Sequence, residues 1–283
     1  MDPENKSDLV IDNGRRKFLL GAGMLVAAAA TPFAVTGLLG CSAPEEVPAS
    51  AAPPPTTVPV QPMSAQTASL PWKYAKLDPV KTAERGYAAY SQGGCMYGTF
   101  EGIVGELREE VGPPFDAFPA AMMKYGKAGV NGWGTLCGCL NGAAAAIYMV
   151  TDTKTGDALI DQLYSWYSSE MLPNYKPKTP KFDIKQTASE SPLCHVSVTR
   201  WCEASGFAAL SPERAERCAQ LTASVAKKAV ELLNDSSAGT AIPAYSNSSD
   251  VAGCLTCHGK GGVKENVHMS KSDSCTICHE PHK

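Results

Sequence analysis

Strand-like alternation of useful length is missing from this sequence, basic residues gather in no stripe, and histidine occurs only 5 times in 283 residues. The first absence removes a sheet-built core and points to an all-α fold. The second, with dispersed lysines and a formal net charge of −3, excludes nucleic acid as a partner. The scarcity of histidine matters by position: His258, His268, His279 and His282 fall in the C-terminal tail, and only His195 lies upstream. Charge is almost missing from residues 41–72, where Glu45 and Glu46 are the only charged side chains among Pro, Ala, Ser and Thr. Such a stretch cannot bury a core and reads as an extended tether, reaching at most about 90 Å if it is polyproline-like.

Cysteine, by contrast, is abundant at 11 residues. Four of them form two C-x-x-C-H motifs, Cys254 and Cys257 before His258, and Cys275 and Cys278 before His279. In this motif the thiols close on the vinyl groups of one porphyrin and the following histidine ligates its iron. Two c-type haems are therefore expected. A zinc clamp or redox dithiol fits worse, because both copies carry the histidine and no βαβ pattern surrounds them.

The other two tail histidines then match two open sixth positions. His282 follows His279 by three residues, too short a link to carry its ring to the far face of the same iron. It must serve a different haem, either the one on Cys254 and Cys257 or one in a second subunit. His268 would serve the remaining iron, with Met269 beside it as the alternative ligand. His195 reads as a hydrogen-bonding helix residue.

The N-terminus carries Arg15, Arg16, Lys17 and Phe18 ahead of a weakly hydrophobic run that ends at Leu38, Leu39, Gly40 and Cys41. This reads as a twin-arginine export signal joined to a lipobox, with Cys41 the lipidated residue. The alternative is an uncleaved signal anchor, since residues 18–39 are long enough to cross a bilayer. Either way the body is expected outside the cytoplasm, held to a membrane. Twin-arginine export carries folded proteins, often around a cofactor loaded inside the cell, whereas c-type haems are attached outside. A second cofactor is implied.

Six cysteines remain for it: Cys95, Cys137, Cys139, Cys194, Cys202 and Cys218. They could pair as three disulfides or ligate an iron-sulfur cluster. Apolar spacing predicts helices after Cys95, through residues 136–150, over residues 157–172, and from the cap at Ser211 to Asn234, with Cys218 on its inward stripe. A helix is also expected over residues 194–206. Gly138 and Gly142, followed by alanines, offer a smooth packing face. Cys194 and Cys202 stand about 80° apart on a helix and can face one region. Cys137 and Cys139 stand about 200° apart, so both can serve one cluster only if their helix begins there; otherwise one of them packs.

Cys95, the run Cys137-Gly138-Cys139-Leu140-Asn141-Gly142-Ala143, Cys194, Cys202 and Cys218 resemble the redox-active family named for its C, GCAxxG, C, C pattern. With the two-haem tail, the match is to the split-Soret cytochromes c. That resemblance implies a homodimer, closely stacked haems, and an iron-sulfur centre on Cys95, Cys137, Cys194, Cys202 and Cys218. Cys139 departs from the family pattern.

The expected organisation is a signal over 1–40, the tether over 41–72, a helical cysteine domain over 73–235, a linker over 236–250 and a haem-organised tail of little regular structure over 251–283. The expected function is electron transfer between redox partner proteins rather than catalysis, because six-coordinate irons leave no place for substrate. A haem-dependent reductase or peroxidase with one open iron is the alternative.

Overall fold

The computed structural model describes residues 69–272 and 274–282, so the export signal, Cys41 and nearly all of the tether lie outside the described residues. The described chain is helical. No helix in it is long and apolar enough to cross a membrane.

Helix α1 (Pro79–Val111) opens on Asp78, whose carboxylate accepts from the backbone N–H of Val80 and Lys81, with Pro79 in the first turn. It is in fact a helical hairpin. Gly94, at φ 81°, breaks the helical path, and the two arms fold against each other. Thr82 on one arm meets Glu106 on the other through a buried hydrogen bond, and Arg85 meets Glu109. The second arm begins at Cys95 and buries Phe100, Ile103, Val104 and Leu107 completely, the stripe its apolar spacing predicts.

Helix α2 (Gly138–Val150) follows Cys137, which caps it with φ −57° and ψ 129°. The face built from Gly138 and Gly142 packs on Cys95 and Met96. A Cβ at Gly142 would run into the Met96 carbonyl, and one at Gly138 into the Cys95 sulfur. Gly142→Ala should therefore cost about 1–3 kcal/mol through overpacking, read as a lowered thermal midpoint at unchanged haem content.

Helix α3 (Thr153–Ser169) starts earlier than its apolar stripe suggests, because Asp152 caps it through Thr155 N–H. It also stops short of Leu172, which pairs with Thr187 in an isolated antiparallel bridge. Helix α4 (Cys194–Ser205) ends at Gly206 in the left-handed conformation, and α5 (Pro212–Ser237) is capped by Ser211 and runs past Asn234. One contiguous core unites α1, α2, α3 and α5.

The tail carries more regular structure than expected. Helix α6 (Ser249–His258), capped by Ser248, holds the whole first C-x-x-C-H motif. Lys271 pairs with Asp161 of α3, and Val251 is buried, so the tail is fastened to the helical domain.

Candidate functional site

Five cysteines meet inside the helical domain. Cys95 arrives at the start of the second arm of α1, Cys137 and Cys139 at the start of α2, Cys194 at the start of α4, and Cys218 from α5. The starts of α2 and α4 are zipped together by three backbone bonds: Cys137 N–H to Pro192 O (2.9 Å), Cys194 N–H to Thr135 O (2.7 Å) and His195 N–H to Gly134 O (3.0 Å). Because α2 begins at Gly138, its first turn brings Cys137 and Cys139 to one side, and their sulfurs stand 3.2 Å apart. All ten described cysteines are free thiols, which excludes the three-disulfide arrangement from this structure.

The electrostatics single out Cys137. Hydrogen bonds from Cys139 and Cys194 hold its thiol well below the usual range despite complete burial, with Tyr167 and Arg217 adding to the effect. Burial pushes Cys95 up to about 12, reinforced by Cys137 and Cys218 and opposed by the Ala128 and Met96 backbone amides that reach its sulfur. Burial also raises Cys139, and the bond to Cys137 raises Cys194. Cys202 lies apart, and of the other thiols it senses only Cys218. Among the described residues, no group of three or more His, Cys, Asp or Glu side chains converges to hold a single metal ion.

The surroundings suit an anion. Arg217 is 1% exposed and its Nε has no hydrogen-bond partner. Burial opposes its charge, but Cys218, Tyr167, Cys137 and Cys139 outweigh that and hold its pKa above the ordinary value. A buried guanidinium normally demands a partnered negative charge. Among the described ion pairs it has no carboxylate, so the sulfurs must supply the counter-charge. This donor set fits an iron centre held by thiolates. Arg214 adds a second cation, bonded to Cys218.

The loop beside Cys95 is strained. Ala128, Gly129, Val130, Asn131 and Gly132 all have positive φ, and left-handed geometry in the non-glycine members costs on the order of 1 kcal/mol or more each. That geometry aims the Ala128 amide at the Cys95 sulfur.

In the tail, burial raises the Cys275 thiol and Cys254 adds to the shift, so the two haem motifs lie side by side. His258 Nε2 and His282 Nε2 face each other at 3.2 Å, with ring centroids 5.5 Å apart. Two imidazoles on opposite sides of one metal stand about 4 Å apart, so a small separation of these rings admits an iron. The residues fit a haem on Cys254 and Cys257. His258 Nδ1 also contacts Asn266 Oδ1 at 3.0 Å, which orients the ring. No such contact joins His279 to His268 among the described residues; both are exposed, as is Met269. His195 sits at the start of α4, away from the tail motifs.

Sequence reasoning missed Tyr167, Ser197, Arg214 and Arg217, which complete the pocket from α3, α4 and α5. Arg217, next to Cys218 on a helix otherwise rich in Ala and Val, carried the one available signal.

Known proteins resemble this chain over most of its length. The family model described as "Putative redox-active protein (C_GCAxxG_C_C)" matches residues 97–232, starting just after Cys95 and spanning the other four pocket cysteines and Cys202. The split-Soret cytochrome c of Desulfovibrio desulfuricans is 37% identical over 216 residues, covering 74% of this chain and 77% of that protein. A solved structure of the split-Soret cytochrome c from Desulfovibrio desulfuricans ATCC 27774, reported for a novel iron centre, aligns with a TM-score of 0.65 at 34% identity, over 74% of this chain and 95% of that one. By this identity, coverage and shared all-α fold, the chain belongs to the split-Soret cytochrome c family.

Proposed function

We propose that this protein is an electron carrier that works outside the cytoplasm on a membrane tether, with two c-type haems on its tail and an iron-sulfur centre in its cysteine pocket. The observation that carries the reading is the buried Arg217, which has no carboxylate partner among the described residues and lies among the thiols of Cys137, Cys139 and Cys218. The iron centre reported for the related protein supports it. When bound, the haems and the cluster supply the one-electron chemistry.

The chain's own residues hold, orient and enclose these groups. Cys254, Cys257, Cys275 and Cys278 anchor the porphyrins, and His258 and His279 are the proximal ligands. His282 would join His258 in holding the iron of the first motif within the same chain, which the 3.2 Å approach of the two rings supports. His268 serves the other iron, in this chain or across a homodimer. A cleft of about 470 Å³ lies beside the second motif, where Ser274, Thr276 and Ile277 face Ser165 and the Arg200–Glu190 ion pair. Cys95, Cys137, Cys194 and Cys218 hold the cluster, with Cys139 inside the same sulfur set. Cys202 stands at its edge. Redox partner proteins exchange electrons at the surface, and the lipid or signal anchor keeps the domain near its membrane.

Saturated irons separate this reading from a haem reductase or peroxidase. The ferric protein should be low-spin, and dithionite-reduced protein should not bind carbon monoxide on mixing. A high-spin ferric band, or rapid carbon monoxide binding, would contradict the carrier reading.

A further inference from the structure

Trp133 is 82% exposed, more than any other aromatic side chain among the described residues. It stands on the loop that zips the starts of α2 and α4 together. Thr135 O, two residues on, accepts from Cys194 N–H at 2.7 Å, and Gly134 O accepts from His195 N–H at 3.0 Å. The loop is a rigid mount, folded onto itself by Asn131 N–H to Tyr125 O (2.9 Å), Trp133 N–H to Val130 O (3.0 Å) and Gly134 N–H to Ala128 O (3.1 Å). Every residue from Ala128 to Gly134 except Trp133 has positive φ. Left-handed backbone at Ala128, Val130 and Asn131 costs energy that the rest of the fold must offset, and such strain gathers at functional sites. Here it holds a large apolar ring out in water, which folding alone does not favour.

The surrounding face is apolar with a positive rim. Met122, Tyr125 and Leu193 are exposed, and Leu193 is joined to the loop by its bridge to Leu136. Lys124 and Lys127 are the only charged residues between Asp116 and Asp152. Both are exposed, and neither takes part in a described ion pair. An exposed Trp ringed by apolar side chains has the make-up of an interface hot spot, and the lysines complement an acidic partner. A two-fold contact centred on this face would instead set like charges against each other.

We propose that this face docks a small acidic one-electron carrier protein, which delivers electrons to the iron centre by way of Trp133, the loop backbone and Cys194. It rests on reading the cysteine pocket as an iron centre. Cys95, Cys137 and Cys139 are buried, so a carrier cannot touch the centre and needs a surface wired to one of its ligands. The bond from Cys194 N–H to Thr135 O is that wire. One electron leaves the partner's cofactor and one reduces the centre, and no covalent bond forms or breaks.

The test uses the full haem- and iron-loaded protein with flavodoxin hydroquinone, an acidic one-electron donor, and follows the non-haem centre by rapid freeze-quench electron paramagnetic resonance. Trp133→Ala should slow reduction of the centre by about tenfold or more. Reduction by dithionite, which needs no docking, should match wild type. The wild-type rate with flavodoxin should fall as salt rises, and the paired Lys124→Glu and Lys127→Glu variant should reverse that dependence. A Trp133→Ala rate equal to wild type would overturn the docking face. So would a wild-type rate that rises with salt, or no reduction by flavodoxin at all. Dissociation of dimers in Trp133→Ala, seen by sedimentation, would assign the face to a second copy of this chain and overturn it as well. If Trp133→Ala fails to fold, or slows with dithionite too, the lysine pair decides: a salt dependence equal to wild type overturns the proposal. Wild type lacking non-haem iron would overturn the pocket reading itself, a result distinct from an unslowed centre.

Discussion

Replacing Cys137 with Ser should strip the non-haem iron and sulfide from the protein while both haems remain attached. Cys137 is the hub of the pocket: Cys139 stands 3.2 Å from its sulfur, and the neighbouring Cys139 and Cys194 hold its thiol well below the usual range. The haem motifs lie in a separate tail, fastened to the domain mainly through Lys271, Asp161 and Val251, so porphyrin attachment should not depend on the pocket. A second consequence follows from Arg217. With the thiolates no longer assembled, its buried charge faces no compensating anion, and uncovering one partner of a buried pair costs about 3–5 kcal/mol. Cys137→Ser should therefore also lower the thermal midpoint of the helical domain. Iron and sulfide assays, the haem spectrum and thermal denaturation check the three parts. Retention of iron and sulfide at wild-type levels would remove Cys137 from the ligand set.

Replacing His282 with Ala should open one haem iron. The facing of His258 and His282 means that the lost imidazole leaves the iron of the Cys254–Cys257 haem with His258 alone. No neighbour takes over, since Asn266 is already engaged with the other nitrogen of His258 and Met269 is half-exposed. Half of the haem should become high-spin in the ferric protein and bind carbon monoxide when reduced, with peroxidase activity appearing from a background near zero. His195→Ala should do none of this, because that residue is built into the start of α4 through its bond to Gly134 O. A fully low-spin His282→Ala protein would mean that His282 ligates no iron.

Much of the fold was legible because its signals were local. Apolar spacing exposed the second arm of α1 and the stripe of α5, while Ser211 marked the start of α5 and Gly206 the end of α4 through capping chemistry. The first arm of α1 was not legible as a hairpin partner. Its contacts with the second arm are Gly86 against Gly98 and Thr82 against Glu106, a small-residue and buried-polar seam that leaves no apolar rhythm. The cysteines announced themselves by type, and the haem motifs by spacing. What spacing could not give was which cysteines meet. Cys194 and Cys202 looked equivalent on a helical wheel, yet Cys194 is pinned at the helix start by Thr135 O while Cys202 lies two turns on, toward Arg217, Arg214 and Cys218. Cys137 and Cys139 hinged on where α2 begins, and that start is fixed by the long-range bridge between Leu136 and Leu193. Tyr167, Ser197 and Arg217 come from three helices, and no local pattern relates them. The export signal and Cys41 belong to residues outside those described and remain expectations of the sequence.

Iron, acid-labile sulfide and haem, quantified per chain on anaerobically prepared protein, test the central claim most directly. The claim predicts iron in excess of haem, with sulfide present in proportion to that excess, and loss of both excess iron and sulfide in Cys137→Ser. Iron equal to haem, with no sulfide, would contradict it and leave the cysteine pocket without a metal centre.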